Sequence, residues 1–376
     1  MAVELSIVRN RAPTRGGRRA ARGSDSVPPQ IVEPFEVRVA RSIDEFDRRE
    51  WDALFPNELE TWVYLRALER AELQHCDFVY FGVRSGGRLV AAVPGFVGRR
   101  ALGEPWRGEM RGQWRRPRER MLVLGSPLSA VRSVAMTPAA SASERALLGE
   151  LTLRAVGDEA ARLGAGCVLP NDTHTGRREL LRRLRASAWL DMRRRKGLAR
   201  LALPRWSFAD YLSCIDDPLR GRLLRVCAQA APYERDWRAD LDRDLAPMVA
   251  LCREAGLEEL GQAYFENLLG PRVCASCLVV RLDDKVAGFS LVLHDASVMR
   301  EKLTVVSRRV KGSLVREVIW LETVRHCLER GIGRFESTSE LSFAVADSRS
   351  QKPSTGSSLS TVPSAAVPPE RSSVAT

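Results

Sequence analysis

No run in the chain approaches about 18 uninterrupted apolar residues, which excludes a membrane-spanning helix of ordinary length. The first two dozen residues carry arginines but no apolar h-region, so a secretory signal is not expected and the chain reads as cytoplasmic. There are only four histidines (75, 174, 294 and 326), and no two have the spacing of a metal-ligand pair. Cys274-Ala-Ser-Cys277 is the one CxxC, and a zinc site needs a second pair or a nearby histidine. The eight cysteines are dispersed through apolar stretches, the pattern of buried reduced thiols, and no metal is expected. Neither GxxxxGK[ST] nor GxGxxG is present, which removes a Walker loop and a dinucleotide fingerprint.

What is present suffices for a packed core. The chain has 376 residues, 44% of them hydrophobic, which favours two domains. Its net charge of +12 is not spread evenly. Residues 1–23, 99–120 and 177–200 carry net +5, +5 and +8, and the remainder is acidic. Such islands attract phosphates, anionic lipid head groups or an acidic carrier; the plain alternative is a solvated arginine-rich surface. The island around Trp106 and Trp114 could stack on single-stranded nucleic acid or dip into a membrane surface, and otherwise is an exposed loop.

Periodicity gives the order of elements. Residues 1–33 form a basic tail without apolar pattern, and 344–376 a Ser/Pro-rich one; both are expected to be disordered. Between them the spacing predicts a strand at Phe35–Val39, a capping box at Ser42-Ile-Asp-Glu45 opening a helix through Trp51 and Leu54, and a second helix over Glu60–Leu73. A hairpin across Ser85-Gly-Gly87 follows, then a strand at Met121–Leu124, a helix over Glu144–Leu163, a strand at Gly166–Leu169 and a basic helix over Arg177–Arg185. After a strand at Leu198–Leu203 the same order recurs: helices, a hairpin across Asp283-Asp-Lys285, a strand at Val298–Val306, an amphipathic helix over Leu314–Arg330 ended by Gly331, and a strand from Arg334. The boundaries are 34–203 and 204–343, two similar α/β domains.

The stretch with most chemical content is Val305-Val-Ser-Arg-Arg-Val-Lys-Gly-Ser-Leu314. A strand enters a basic, glycine-containing turn and a helix N-terminus follows at once, where unpaired N–H groups and the positive end of the helix dipole lie. Arg308, Arg309, Lys311, Gly312 and Ser313 form a candidate anion cradle. Glu336, at the start of the next strand, is a candidate proton acceptor. His294 beside Asp295 is a second, and a surface histidine at a strand end is the alternative. Arg220, Arg222 and Arg225 recur at helical spacing, on a solvated face or against a polyanion.

Strand, Arg-x-x-Gly turn, helix and strand resembles the GCN5-related N-acetyltransferase (GNAT) fold, and two such units in one chain resemble its FemAB-like branch. The resemblance covers about residues 36–343. It is carried in the first half by Ser42-Ile-Asp-Glu-Phe, Trp51-Asp-Ala-Leu54 and Phe81 to Pro94. In the second half it is carried by Phe208-Ala-Asp-Tyr211, Leu219 to Arg225, Val286-Ala-Gly-Phe289, Arg309-Val-Lys-Gly312 and Glu317–Phe335. It implies an α/β fold of two tandem domains, each a mixed central sheet flanked by helices, the second ending short of its last strands. It also implies an acyltransferase: an acyl-CoA bound by its pyrophosphate at the 308–313 turn, or an aminoacyl-tRNA, would donate to an amine on an acceptor such as a cell-envelope precursor. A bacterial, cytoplasmic enzyme that touches a membrane surface without crossing it fits that branch. The other function class is a catalytically inactive GNAT-like scaffold that binds nucleic acid or another polyanion through its arginine-rich surfaces.

Overall fold

The architecture is described from a computed structural model, for residues 3–5, 35–56, 58–74, 76–98, 120–128, 134–170, 190–193, 199–203, 207–215, 217–237, 241–310 and 312–337. The basic helix expected over Arg177–Arg185, nearly all of the 99–120 island and most of both tails lie outside these residues. The strands are β1 (Val3–Leu5), β2 (Phe35–Ala40), β3 (Cys76–Ser85), β4 (Arg88–Gly98), β5 (Met121–Leu124), β6 (Ala135–Met136), β7 (Gly166–Pro170), β8 (Leu190–Arg193), β9 (Ala199–Ala202), β10 (Glu234–Asp236), β11 (Ala275–Leu282), β12 (Lys285–His294), β13 (Val298–Val306) and β14 (Arg334–Ser337). The helices are α1 (Arg48–Leu54), α2 (Trp62–Arg70), α3 (Ala142–Arg162), α4 (Phe208–Ser213), α5 (Asp217–Gln229), α6 (Leu241–Glu254), α7 (Gln262–Leu268) and α8 (Gly312–Glu329).

They build two mixed sheets inside one compact unit, Met1–Ser339. The first sheet runs β1-β2-β3-β4-β5-β7-β8, with β6 also on β4; the second runs β10-β11-β12-β13-β14-β9. In each, one parallel pair (β5 with β7, β13 with β14) joins strands separated by a long helix (α3, α8). Strand, two helices, hairpin, strand, long helix, strand therefore occurs twice, which is the tandem GNAT-like α/β arrangement.

The hairpins match in detail. Ser85 pairs with Arg88 across Gly86 and Gly87, and Leu282 with Lys285 across Asp283 and Asp284. All four turn residues have positive φ, the requirement of a two-residue turn that follows the right-handed twist of its strands. Each hairpin then carries a one-residue bulge at the same distance from the turn, at Val90 and at Ala287.

The inner faces of the two sheets share one apolar core. Trp51, Tyr64, Leu65 and Leu68 from α1 and α2 belong to the same buried cluster as Met248, Cys252, Tyr264 and Phe265 from α6 and α7, and as Val279, Phe289 and Leu291 from the second sheet. Helix α3 covers the outer face of the first sheet through Leu148, Leu151, Val156 and Ala160. Helix α8 covers the second sheet, and all eight apolar positions expected of it, from Leu314 to Leu328, are buried. It sits close because position 288 is glycine: a Cβ there would lie 2.9 Å from Val305 O and 3.0 Å from Val315 Cγ1.

Several expectations are corrected. Ser42 caps a short 3₁₀ turn (Ile43–Glu45), and Asp47 caps α1 by accepting from Glu50 N–H. Helix α2 starts at Trp62 because Thr61 is its N-cap. Val3–Leu5, placed in the basic tail by composition, pairs antiparallel with β2 and supplies a partner for what would be a bare edge. The second sheet does not stop at β14: β9, which precedes the second repeat, pairs antiparallel along it from Ala199 to Ala202. Strand β10, not expected from the sequence, forms the opposite edge. Cys252, Cys277 and Cys327 are buried thiols, but Cys214 and Cys274 are exposed.

The second sheet is tied to α6 by a fully buried ion pair. Arg281 Nε donates to Asp244 Oδ1 at 3.0 Å, and its Nη2 bonds the other carboxylate oxygen. Removing one partner strands a charge in the core. Asp244→Ala is expected to cost about 3–5 kcal/mol in urea unfolding; equal stability of wild type and Asp244→Ala would refute this.

Candidate active site

Among the described residues, strands β13 and β14 run parallel over Val298/Arg334, Met299/Phe335 and Arg300/Glu336. Beyond Arg300, β13 continues for six residues, to Val306. At the same place its register with β12 slips: Leu291 pairs with Leu303 but Val292 with Glu301, so Lys302 is an extra residue in a bulge. A bulge bends and twists its strand. Bent in this way, β13 runs on to the basic turn. Glu301 meets Ser337 beside the bulge, where Ser337 Oγ donates to its carboxylate.

The turn joins β13 to α8. Ser307 N–H donates to Ala287 O at 2.8 Å, and Ser307 Oγ accepts from Arg309 N–H at 3.2 Å. Arg308 is exposed. The Arg309 guanidinium lies 3.3 Å from Glu254 with 84% of its side chain exposed, a pairing of small worth. Lys311 and the side chain of Ser313 lie outside the described residues; Gly312 begins α8. Leu314 is buried in the core.

The equivalent junction of the first repeat is built differently. After β5 the chain passes Gly125 (φ 113°) and Ser126, and β6 intervenes before α3. Ser141 and Glu144 form a complete capping box at the start of α3. Its own carboxylate already occupies the position an anion would take.

The other candidates do not gather at the turn. Glu336 is 1% exposed. Its Oε2 accepts from Arg300 Nε at 2.7 Å, and its Oε1 is 3.2 Å from the Nε of both Arg200 and Arg334. Three guanidinium groups occupy both oxygens, so Glu336 is the ion-pair joint of β9, β13 and β14 and is not placed as a proton acceptor. His294 pairs with Met299 at the start of β13, the opposite end from the turn. Its Nε2 lies 2.9 Å from Ser276 Oγ. Asp295 shares no proton with it: Asp295 Oδ1 accepts from Ser297 N–H, Ser297 Oγ and Val298 N–H within its own turn. Burial, then the charge of Arg330, holds the imidazole below its ordinary pKa against the pull of Asp295. Arg220 and Arg222 are paired with Asp217 and Glu317.

Four residues that the sequence reading passed over lie at the bulge of β13. Arg300 Nη1 donates to Glu58 at 3.0 Å, and Lys302 Nζ donates to Glu60 at 2.7 Å. The signal was available: Arg300-Glu-Lys302 places three consecutive charges inside an otherwise apolar strand, and buried charges need partners. The acids that answer them are some 240 residues earlier, which no local pattern reveals. Among the described residues no group of His, Cys, Asp and Glu is placed to hold a metal ion, and no helix is long and apolar enough to cross a membrane.

No protein-family model and no curated protein matches the sequence. Among solved structures, the chain is similar to a tandem GNAT protein from the clavulanic acid biosynthesis pathway, at 15% identity over 81% of this chain and 89% of that one, with a TM-score of 0.47. It is also similar to the C-terminal domain of a putative lysylphosphatidylglycerol synthetase from Agrobacterium fabrum, at 12% identity over 78% of each chain with a TM-score of 0.42. FemX matches at 11% identity over 77% of this chain and 87% of that one, again with a TM-score of 0.42.

On α8, His326 stacks on Trp237 with ring centroids 4.1 Å apart. Burial, then Arg330 and His294, pushes its pKa down to about 4 from an ordinary 6.5. The unfolded chain therefore binds more protons than the folded one between those values, and stability is lost as pH falls through that window. Urea unfolding at pH 7 and pH 5 is expected to show a larger drop for wild type than for His326→Phe, which keeps the stack without the titration. Equal drops would contradict the assignment.

Proposed function

We propose that the chain is an N-acyltransferase whose second repeat holds the donor, an acyl-CoA. The carrying observation is the course of β13: next to its Arg300/Glu336 pairing with β14 it bulges at Lys302, and it then leads into the basic turn before α8. An extended acyl-pantetheine arm needs a strand edge to lie along, and a diphosphate needs cations and free N–H groups at the end of it.

The residues present suit that group. Arg308 is exposed, Arg309 pairs with Glu254 at the surface while most of its side chain stays open to solvent, and the first turn of α8 carries no acidic residue, unlike that of α3. Arg309 N–H is already bonded to Ser307 Oγ, so the cradle is formed by the two guanidinium groups and the first turn of α8. The chain's part in catalysis is positioning: it holds a thioester along β13 so that an amine can approach the carbonyl carbon, form the C–N bond and displace the thiolate, which takes up the proton that the amine loses, directly or through water. The acceptor is an amine; a cell-envelope precursor is the class that the FemAB-like resemblance suggests. Aminoacyl-tRNA is the competing donor, and a polyanion-binding scaffold without turnover is the competing role.

Separate calorimetric titrations with coenzyme A and with tRNA distinguish these. Coenzyme A is expected to bind, and Arg308→Ala/Arg309→Ala to weaken it by roughly ten- to a hundredfold, the worth of one or two charge-assisted hydrogen bonds. Absence of coenzyme A binding, or binding indifferent to both substitutions, would overturn the donor assignment. Salt-sensitive tRNA binding without it would favour the scaffold.

A further inference from the structure

The bulge of β13 lies in the second repeat, yet the acids that hold it come from the first. Arg300, a β13 residue paired with β14, is held between Glu58 (3.0 Å) and Glu336 (2.7 Å). Lys302, the extra residue of the bulge, has its ammonium 2.7 Å from Glu60 and 5.1 Å from the centre of the Tyr64 ring. The other oxygen of Glu60 accepts from Ser126 Oγ, so the carboxylate is gripped from both sides. Glu60, Arg300 and Lys302 are all buried. Alternate residues of the 58–60 segment thus meet alternate residues of β13 as two rungs of one ladder.

The segment that carries the acids cannot drift. Thr61 caps α2, Trp62 N–H donates to Asp52 Oδ1 at 2.7 Å, and the Trp62 indole donates to the carbonyls of Ile43 and Phe46. Simple adhesion between the repeats would not require this placement. The shared apolar core already joins them, and buried ion pairs are poor adhesive because desolvation offsets much of their attraction. The two rungs stand at Arg300, paired with Glu336 of β14, and at the bulge residue, the two positions that set the course of β13 toward the basic turn.

We propose that Glu58 and Glu60 are positioning residues, through which the first repeat fixes the bulged course of β13 at the donor site in the second. The purpose of the latch rests on the donor reading above; its existence does not. The first repeat then acts on the site without contributing a cradle of its own, and the second repeat alone would not hold the donor geometry.

The test uses the full chain, with amide exchange by mass spectrometry as the readout that needs no ligand. Glu60→Gln and Lys302→Met are expected to raise exchange over residues 300–306 and 334–337 about tenfold while leaving 76–98 unchanged. Lys302→Arg, which can still donate to Glu60, is expected to stay near wild type. No local rise, or a rise of the same size throughout the chain, overturns the latch. In the second arm, Glu60→Gln is expected to weaken coenzyme A binding about tenfold although it touches no part of the cradle. Locally raised exchange with unchanged coenzyme A affinity overturns the positioning role. Should wild type itself take no coenzyme A, the donor reading fails, and the exchange arm alone decides whether the latch exists.

Discussion

Two ion pairs, the half-buried Glu58 with Arg300 and the buried Glu60 with Lys302, cross from one repeat to the other, and on the proposed account the geometry of the second sheet depends on them. Each buried ion forfeits several kcal/mol of hydration, so such pairs persist only where the geometry is good and remaining lone pairs are satisfied. Here they are: Ser126 completes Glu60, Glu336 completes Arg300, and the Tyr64 ring lies beside Lys302. The same residues mark the bulge that bends β13. A charge cluster that looks like the centre of an interface is therefore also placed where the strand changes course.

The repeats are alike in everything that makes a fold and unlike at one junction. Hairpin turns, bulges and the long crossover helix recur in register. The connection from the fourth core strand to the long helix does not. In the first repeat it carries Gly125, Ser126 and the short β6 before a helix that caps itself with Glu144. In the second it is a short basic turn. On the proposed account the first repeat has given up anion binding, and its 58–61 segment and Ser126 serve the second. Strand β9 repeats this dependence at the other edge, where an element preceding the second repeat closes its sheet beside β14.

Most of the fold was legible in the sequence because it rests on local pattern. The hairpin turns were marked by Gly86-Gly87 and Asp283-Asp284, α8 by eight apolar positions at helical spacing, and its end by Gly331, which has φ 68°. Misplaced helix starts came from caps close in sequence: Ser42 caps only the 3₁₀ turn and Asp47 opens α1, while Thr61, one residue past the expected start at Glu60, opens α2. Strand β10 was missed because Glu234-Arg-Asp236 has no apolar alternation; it is an edge strand whose acids face Arg281. The site was legible only in its anion turn. Glu336 drew notice as a carboxylate at a strand start, but its role depends on Arg200, Arg300 and Arg334, which only the folded sheet brings together. Glu58 and Glu60 gave no sign, because their partners are distant in sequence.

A crystal structure of the full chain with coenzyme A tests the central claim most directly. The account predicts the diphosphate within hydrogen-bond distance of the 308–313 backbone or of Arg308 and Arg309, with the pantetheine arm along β13 past Lys302. Coenzyme A seated instead on the 125–141 connection of the first repeat, or found at no ordered position under saturating ligand, would contradict it.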